Sequence, residues 1–81
     1  MAKRFYIEYV TRLDNNPRKK FGYVRVPMEW SNLEEADAYA QKLAERDGVY
    51  NIEVTMVGAV LDCVEKQYNY VEWTKLKEIF K

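Results

Sequence analysis

The spacing of apolar residues is the feature of this chain that most restricts its fold. Apolar and polar side chains alternate from Phe5 to Leu13 and again from Tyr50 to Met56, which is the two-residue period of a β-strand with one covered face. Between these stretches, residues 33–44 carry apolar side chains at intervals of three and four, the period of an amphipathic helix. In a chain of 81 residues, this pattern predicts one small α+β domain spanning residues 1–81.

The first strand is expected to continue into a hairpin. Residues 14–20 read Asp-Asn-Asn-Pro-Arg-Lys-Lys, which joins turn-forming residues to three consecutive basic ones. The β-prone run from Phe21 to Val26 follows, and Pro27 ends it because proline cannot donate a hydrogen bond within a sheet. The sequence therefore predicts a β-hairpin with a basic tip.

Both predicted helices carry start signals. Ser31 and Glu34 have the Ser-x-x-Glu spacing in which each side chain satisfies a free backbone N–H, and Gly48 supplies a left-handed stop after the helix. A second helix is predicted from Val71 to Phe80, behind a cap at Asn69. Its apolar stripe comprises Trp73, Leu76, Ile79 and Phe80.

Residues 60–68 allow two interpretations. Gly58-Ala59 can form a two-residue turn, which would make Val60 to Tyr68 a fourth strand. The same residues also fit helical spacing, and periodicity cannot decide for so short a stretch. The glycine and the valines favour the strand. The predicted order is therefore ββαββα, an antiparallel four-stranded sheet with two helices packed on one face.

The residue inventory argues against catalysis. The chain has no histidine, so it lacks the usual base of serine and cysteine hydrolases and the commonest zinc ligand. Its three glycines cannot build a phosphate-binding loop. The helix cap accounts for Ser31, and Cys63 is predicted to lie in the core. We therefore expect a protein that is not an enzyme and uses no cofactor or metal.

Cysteine content and hydropathy indicate the cellular compartment of the protein. The lone Cys63 cannot form an intramolecular disulfide, whereas small secreted domains usually carry several. No apolar run approaches the roughly 18 residues of a membrane span. These observations predict a cytoplasmic protein without a membrane partner.

Charge is balanced overall, with 13 basic and 13 acidic residues, but it is unevenly distributed. Residues 1–26 contain seven basic and two acidic side chains, whereas the remainder contains six basic and eleven acidic ones. Such asymmetry indicates a charged partner for the basic half. Attraction between the two halves within the fold explains it equally well.

A candidate binding surface follows from the strand alternation. If one side of the first hairpin faces the helices, the other displays aromatic and basic side chains together. The predicted partner-binding residues are Tyr6, Val10, Phe21, Tyr23, Arg25, Arg12, Arg18, Lys19 and Lys20. Tyrosine and arginine dominate protein interfaces, which favours another protein as the partner. The alternative is an RNA- or DNA-binding module, because aromatics among arginines also stack bases.

A homodimer is also expected. Two short helices can cover only one face of a four-stranded sheet, so several aromatic side chains would remain exposed. A second copy of the chain could cover them.

The chain is short, rich in aromatic residues and free of motifs. In this general character it is similar to small proteins encoded by bacteriophages and other mobile elements. Such proteins commonly bind and inhibit a host or defence enzyme. The resemblance implies a stand-alone protein-binding module, an inhibitor or modulator, that acts by occluding a surface through its first hairpin.

Overall fold

The computed structural model describes residues 3–81. Its elements are β1 (Phe5–Arg12), β2 (Phe21–Arg25), α1 (Leu33–Ala44), β3 (Tyr50–Met56), β4 (Cys63–Tyr68) and α2 (Trp73–Ile79). The strands form one antiparallel sheet in the order β2-β1-β3-β4, and the helices pack against it. The predicted α+β class, the ββαββα order and the four-stranded antiparallel sheet are confirmed.

One side of the sheet, the first face, carries the main core. Ile7 and Val54 are paired neighbours on β1 and β3, and both are fully buried. Ala36 and Ala40 of α1 pack against this cluster, where their small side chains allow the helix to approach the sheet closely. Each buried aliphatic side chain contributes roughly 1.5–3 kcal/mol. The first face therefore supplies most of the hydrophobic stabilisation.

Helix α2 packs against the opposite side, the second face. Val10 is paired with Tyr50 on β3, and it is buried beneath Leu76 and Phe80. Phe21 packs against the same cluster. The two helices thus lie on opposite faces of the sheet, where the sequence analysis expected both on one face.

A β-bulge at Asn51 explains the position of Tyr50. The pairing register between β1 and β3 shifts at this point, and Asn51 has a left-handed φ of 50°. Strict alternation would place Tyr50 on the first face with Ile52, but the extra residue turns it to the second face beside Val10. The apolar surface that α2 covers therefore depends on this bulge.

The side chain of Asn51 also holds the connection to α2. Its Oδ1 accepts a hydrogen bond from the N–H of Val71 at 2.6 Å, and its Nδ2 donates to the Val71 carbonyl at 3.0 Å. Its backbone N–H donates to the Asn69 carbonyl at 3.0 Å. These bonds fix the path of the segment that connects the end of β4 to α2 on the second face.

The predicted helix caps were both misplaced. The N-cap of α1 is Asn32 rather than Ser31, because the Asn32 Oδ1 accepts from the N–H of Glu35 at 3.2 Å. Helix α2 begins at Trp73, and no side-chain hydrogen bond caps its start. Asn69, the expected cap, instead donates from Nδ2 to the Ala44 carbonyl at the end of α1.

The strand interpretation of the fourth element is confirmed, although the turn before it is longer than two residues. Residues 57–62 form the turn, in which Asp62 accepts a hydrogen bond from the Gly58 N–H at 3.1 Å. A Cβ at Gly58 would lie 1.9 Å from the Leu61 carbonyl oxygen, so the turn requires glycine there. Cys63 begins the edge strand β4 and is exposed, so its predicted place in the core is wrong.

Candidate functional site

A groove of about 750 Å³ runs between the tip of the first hairpin and α2. Its basic residues are Arg18, Lys19, Lys20, Lys77 and Lys81, and its aromatic residues are Phe21, Tyr23, Trp73 and Phe80. We call this feature the basic groove. The hairpin and α2 build it jointly, although they are far apart in sequence.

The hairpin tip is ordered by its own asparagine. The Oδ1 of Asn16 accepts hydrogen bonds from the N–H groups of Arg18 at 2.9 Å and Lys19 at 3.0 Å. The Leu13 N–H donates to the Lys20 carbonyl at 2.9 Å and closes the loop. A side chain that bonds nearby backbone in this way fixes the turn. The three consecutive basic residues therefore project from a defined loop.

Aromatic rings in mutual contact form the floor of the groove. The Phe21 ring lies 5.0 Å from Trp73 and 5.2 Å from Phe80, measured between centroids. Tyr23 stacks on Trp73 at 6.2 Å. These are favourable aromatic separations. Tyr23 remains 48% exposed and Trp73 45%, so the strip keeps an open edge for a partner.

The charged side chains that line the groove are all of one sign. The side chains that line it carry five positive charges and no negative charge. Among residues 3–81, the ion pairs lie elsewhere, between Arg4 and Glu29 and between Arg25 and Glu8. A concave surface lined by one sign of charge concentrates ligands of the opposite sign. The groove therefore favours an anionic ligand.

Five of the predicted binding residues line the groove. Phe21 and Tyr23 form part of its floor, and Arg18, Lys19 and Lys20 form the wall at the hairpin tip. Arg12 lies beside it, with its guanidinium 5.4 Å from the centroid of the Phe80 ring. The structure therefore places most of the predicted surface around one concave feature.

Tyr6 and Val10 are covered within the chain, contrary to the expected exposure. Val10 is fully buried beneath α2, and Tyr6 is only 7% exposed. The Tyr6 hydroxyl donates to Asp62 at 2.8 Å, and the Arg25 guanidinium lies 3.8 Å from its ring centroid. Burial, followed by the hydrogen bond to Asp62, raises the pKa of Tyr6. Neither side chain offers surface to a partner.

Sequence reasoning missed the contribution of α2 to this site. Trp73 and Lys77 are four residues apart on α2 and line the groove together, and Lys81, just beyond the helix, lines it as well. Residues four apart on a helix share a face, so this spacing was a usable signal. Trp73 was expected in the apolar core stripe, and no role was predicted for the lysines.

Beyond α2, the second face carries an acidic patch, formed by Glu8, Glu53 and Asp62. Glu8 and Glu53 are directly opposite each other in the register of β1 and β3. Burial, and then the charge of Glu8, raises the pKa of Glu53. Burial and the nearby charges of Glu53 and Glu8 raise the pKa of Tyr23. Tyr23 lines the basic groove and is paired with Val10, two residues from Glu8 on β1, so it lies between the groove and the acidic patch.

Two further kinds of feature were sought in the described part of the chain, a cluster of metal ligands and a membrane-spanning helix. Within residues 3–81, no three cysteine or carboxylate side chains are grouped so that they could hold a metal ion. No helix in the same range combines the length and the apolar character needed to cross a membrane.

Comparison with known proteins returns no match, whether to a family model, to a curated protein or to a solved structure.

Proposed function

We propose that this protein is a cytoplasmic binding module rather than an enzyme, and that its basic groove binds an acidic segment of a partner protein. The observation that carries the proposal is the convergence of five positive side chains around a partly exposed aromatic strip. Cations speed the encounter with an acidic surface, and desolvated aromatic anchors supply most of the binding free energy.

The groove is ordered before a partner arrives. Asn16 holds the hairpin tip, and the rings of Phe21, Trp73 and Phe80 already pack against one another. A preformed site loses little conformational entropy on binding. Such a surface suits an inhibitor or modulator of the type that bacteriophages encode, which acts by covering a surface of its target and needs no catalytic group.

A nucleic acid is the second candidate, because cations beside aromatic rings also bind single strands. The ring geometry favours a protein. Tyr23 stacks on Trp73 with an interplanar angle of 19°, and Phe21 stacks on Phe80 at 21°. These rings therefore already use faces that bases would need for stacking.

Titration with synthetic peptides tests the proposal. The probes are a Glu/Asp-rich peptide that contains leucine and phenylalanine, its Lys/Arg-rich counterpart and an oligothymidylate, each followed by NMR chemical-shift changes. We expect the acidic peptide to shift the resonances of Tyr23, Trp73 and Lys77. The double variant Lys20→Glu/Lys77→Glu should weaken this binding by about tenfold or more.

The control is Lys66→Glu/Lys75→Glu, which reverses the same number of charges outside the groove. Lys75 lies on α2 two residues before Lys77, on a different side of the helix, and does not line the groove. This control should change affinity by no more than about twofold. Equal losses in both double variants would contradict a groove-specific site. Tighter binding of the oligothymidylate, with a steep dependence on salt, would replace the protein partner with nucleic acid.

A further inference from the structure

The second face carries patches of opposite charge on the two sides of one aromatic pair. Along β2, Phe21 lines the basic groove, Tyr23 stacks on Trp73, and Arg25 is paired with Glu8 of the acidic patch. Alternate residues on a strand are about 6.6 Å apart, so the patches are close neighbours. The Tyr23–Trp73 pair marks the boundary between them.

We propose that a second copy of the chain binds this face through a two-fold axis that runs along the Tyr23–Trp73 pair. Rotation by 180° about such an axis lays the basic groove of each copy on the acidic patch of the other. The two Tyr23–Trp73 pairs then meet at the axis. The contact is isologous, so it closes as a dimer and does not extend into a filament.

Charge complementarity is the first argument for a second copy as the occupant. The basic groove holds five cationic side chains, and the acidic patch holds three carboxylates beside the single guanidinium of Arg25, so it keeps a net negative charge. Glu8 and Glu53 are directly opposite, an arrangement of like charges that destabilises a sheet. Glu8 has Arg25 at 3.9 Å, whereas the partner of Glu53 within residues 3–81 is the neutral Gln67, which donates a hydrogen bond at 3.3 Å. Lysines from another copy would neutralise this pair.

Apolar surface is the second argument, because exposed ion pairs alone contribute little. Tyr23 and Trp73 are about half exposed, and Val64, paired with Thr55 beyond the acidic patch, is 48% exposed. Tyr70, in the segment leading to α2, is 65% exposed. Burial of aromatic surface at the axis would supply most of the stabilisation, and the charges would fix the orientation.

The dimer would also regulate the groove. Because each acidic patch would occupy the groove of the other copy, self-association and the binding of an acidic partner are mutually exclusive. A partner would therefore bind the monomer, and its apparent affinity would fall as the protein concentration rises. The dimer itself does not depend on the proposed partner.

Sedimentation equilibrium of the full chain at micromolar concentrations, in low and moderate salt, tests the dimer. We expect a mass approaching twice the 9.7 kDa of one chain, with a dissociation constant that increases with salt. The variants Glu53→Lys and Lys19→Glu/Lys20→Glu should each weaken self-association by about tenfold or more. Circular dichroism checks that both variants remain folded.

An equimolar mixture of the two variants provides the decisive measurement. In the mixed dimer, each altered patch meets a complementary one, so association should recover towards the native value. A native mass of one chain throughout would overturn the proposal. So would a dimer that neither variant weakens, since its interface would lie elsewhere. Peptide binding by a monomeric protein would show that the groove functions although the dimer proposal has failed.

Discussion

The two faces of the sheet come from the same strands, yet they are covered very differently. On the first face, the twelve-residue helix α1 covers a core in which Ile7, Ile52 and Val54 have no exposed surface. On the second face, the seven-residue helix α2 covers Val10 and Phe21 and leaves the acidic patch open. The candidate surfaces lie where cover is incomplete. The first face therefore supplies most of the stability of the fold, and the second face carries the basic groove and the acidic patch.

The two helices also differ in how far they stabilise themselves. Helix α1 has a side-chain cap from Asn32 and acidic residues in its first turn, both of which favour a helix. Helix α2 has no side-chain cap, and its length is well below the roughly 12 residues that an isolated helix needs. Its order therefore depends on packing through Leu76 and Phe80.

The largest expected effect comes from truncating one core residue on each face. We expect Ile52→Ala to lower the free energy of unfolding by about 3–4 kcal/mol, because a fully buried side chain leaves a cavity. Leu76→Ala should cost about 2–3 kcal/mol and also free α2 locally, since Leu76 is its buried anchor. Urea unfolding measures the loss of unfolding free energy in both variants. Hydrogen exchange of the α2 amides measures the local release of α2 in Leu76→Ala.

Ile79→Ala provides the control on α2, because Ile79 is 45% exposed. It should change stability by no more than about 0.5 kcal/mol. If Leu76→Ala left the amide protection of α2 unchanged, packing on Leu76 would not be what orders this helix.

Substitution of Asn51, the residue at the bulge, should give an intermediate loss of stability. Asn51→Ala removes both side-chain hydrogen bonds to Val71 and places alanine at a positive φ, for an expected loss of about 2–3 kcal/mol. Asn51→Gly removes the same bonds but tolerates the backbone, so it should cost about 1 kcal/mol less. Chemical denaturation of the pair separates backbone strain from hydrogen bonding. Native stability in both variants would mean that Asn51 does not fix the bulge.

The strands and helices were predictable because periodicity reports local structure directly. The face of the sheet that α2 covers was not predictable, because alternation defines the two sides of a strand but does not indicate on which side a later helix packs. The deciding residue, Asn51, produces no signal in a hydrophobic pattern, although asparagine tolerates left-handed backbone. The sequence therefore predicted Tyr50 to lie with Ile52, and the bulge reversed its direction.

The candidate groove was half predictable. Arg18, Lys19 and Lys20 form a visible charge run at a turn, and Phe21 and Tyr23 follow from strand alternation. The α2 half depends on tertiary packing that brings residues some fifty positions later in the sequence beside the hairpin. The same packing buried Val10, which the sequence placed on the exposed surface.

The smallest expected effect concerns the part of the second face that no helix covers. There the turn of residues 57–62 is fastened through Asp62, which accepts hydrogen bonds from the Gly58 N–H and the Tyr6 hydroxyl. These bonds favour the ionised carboxylate, and the one from Gly58 contributes most, so the pKa of Asp62 lies below its ordinary value of 3.8. Because the folded pKa is below the unfolded one, the contribution of Asp62 to stability is present above pH 3.8 and is lost as the pH falls through the folded pKa.

Substitution of Asp62 by asparagine isolates this pH dependence. Asp62→Asn should be less stable than the native protein at neutral pH, and the two stabilities should converge in acid, once the native carboxylate is protonated. Urea midpoints between about pH 7 and pH 2 measure the difference. Asp47→Asn, at an exposed aspartate outside the turn, controls for the loss of one negative charge. A constant gap between native protein and Asp62→Asn across this range would show that the ionised Asp62 does not fasten the turn, and the open part of the second face would then be held by the packing of Tyr6 and Arg25 alone.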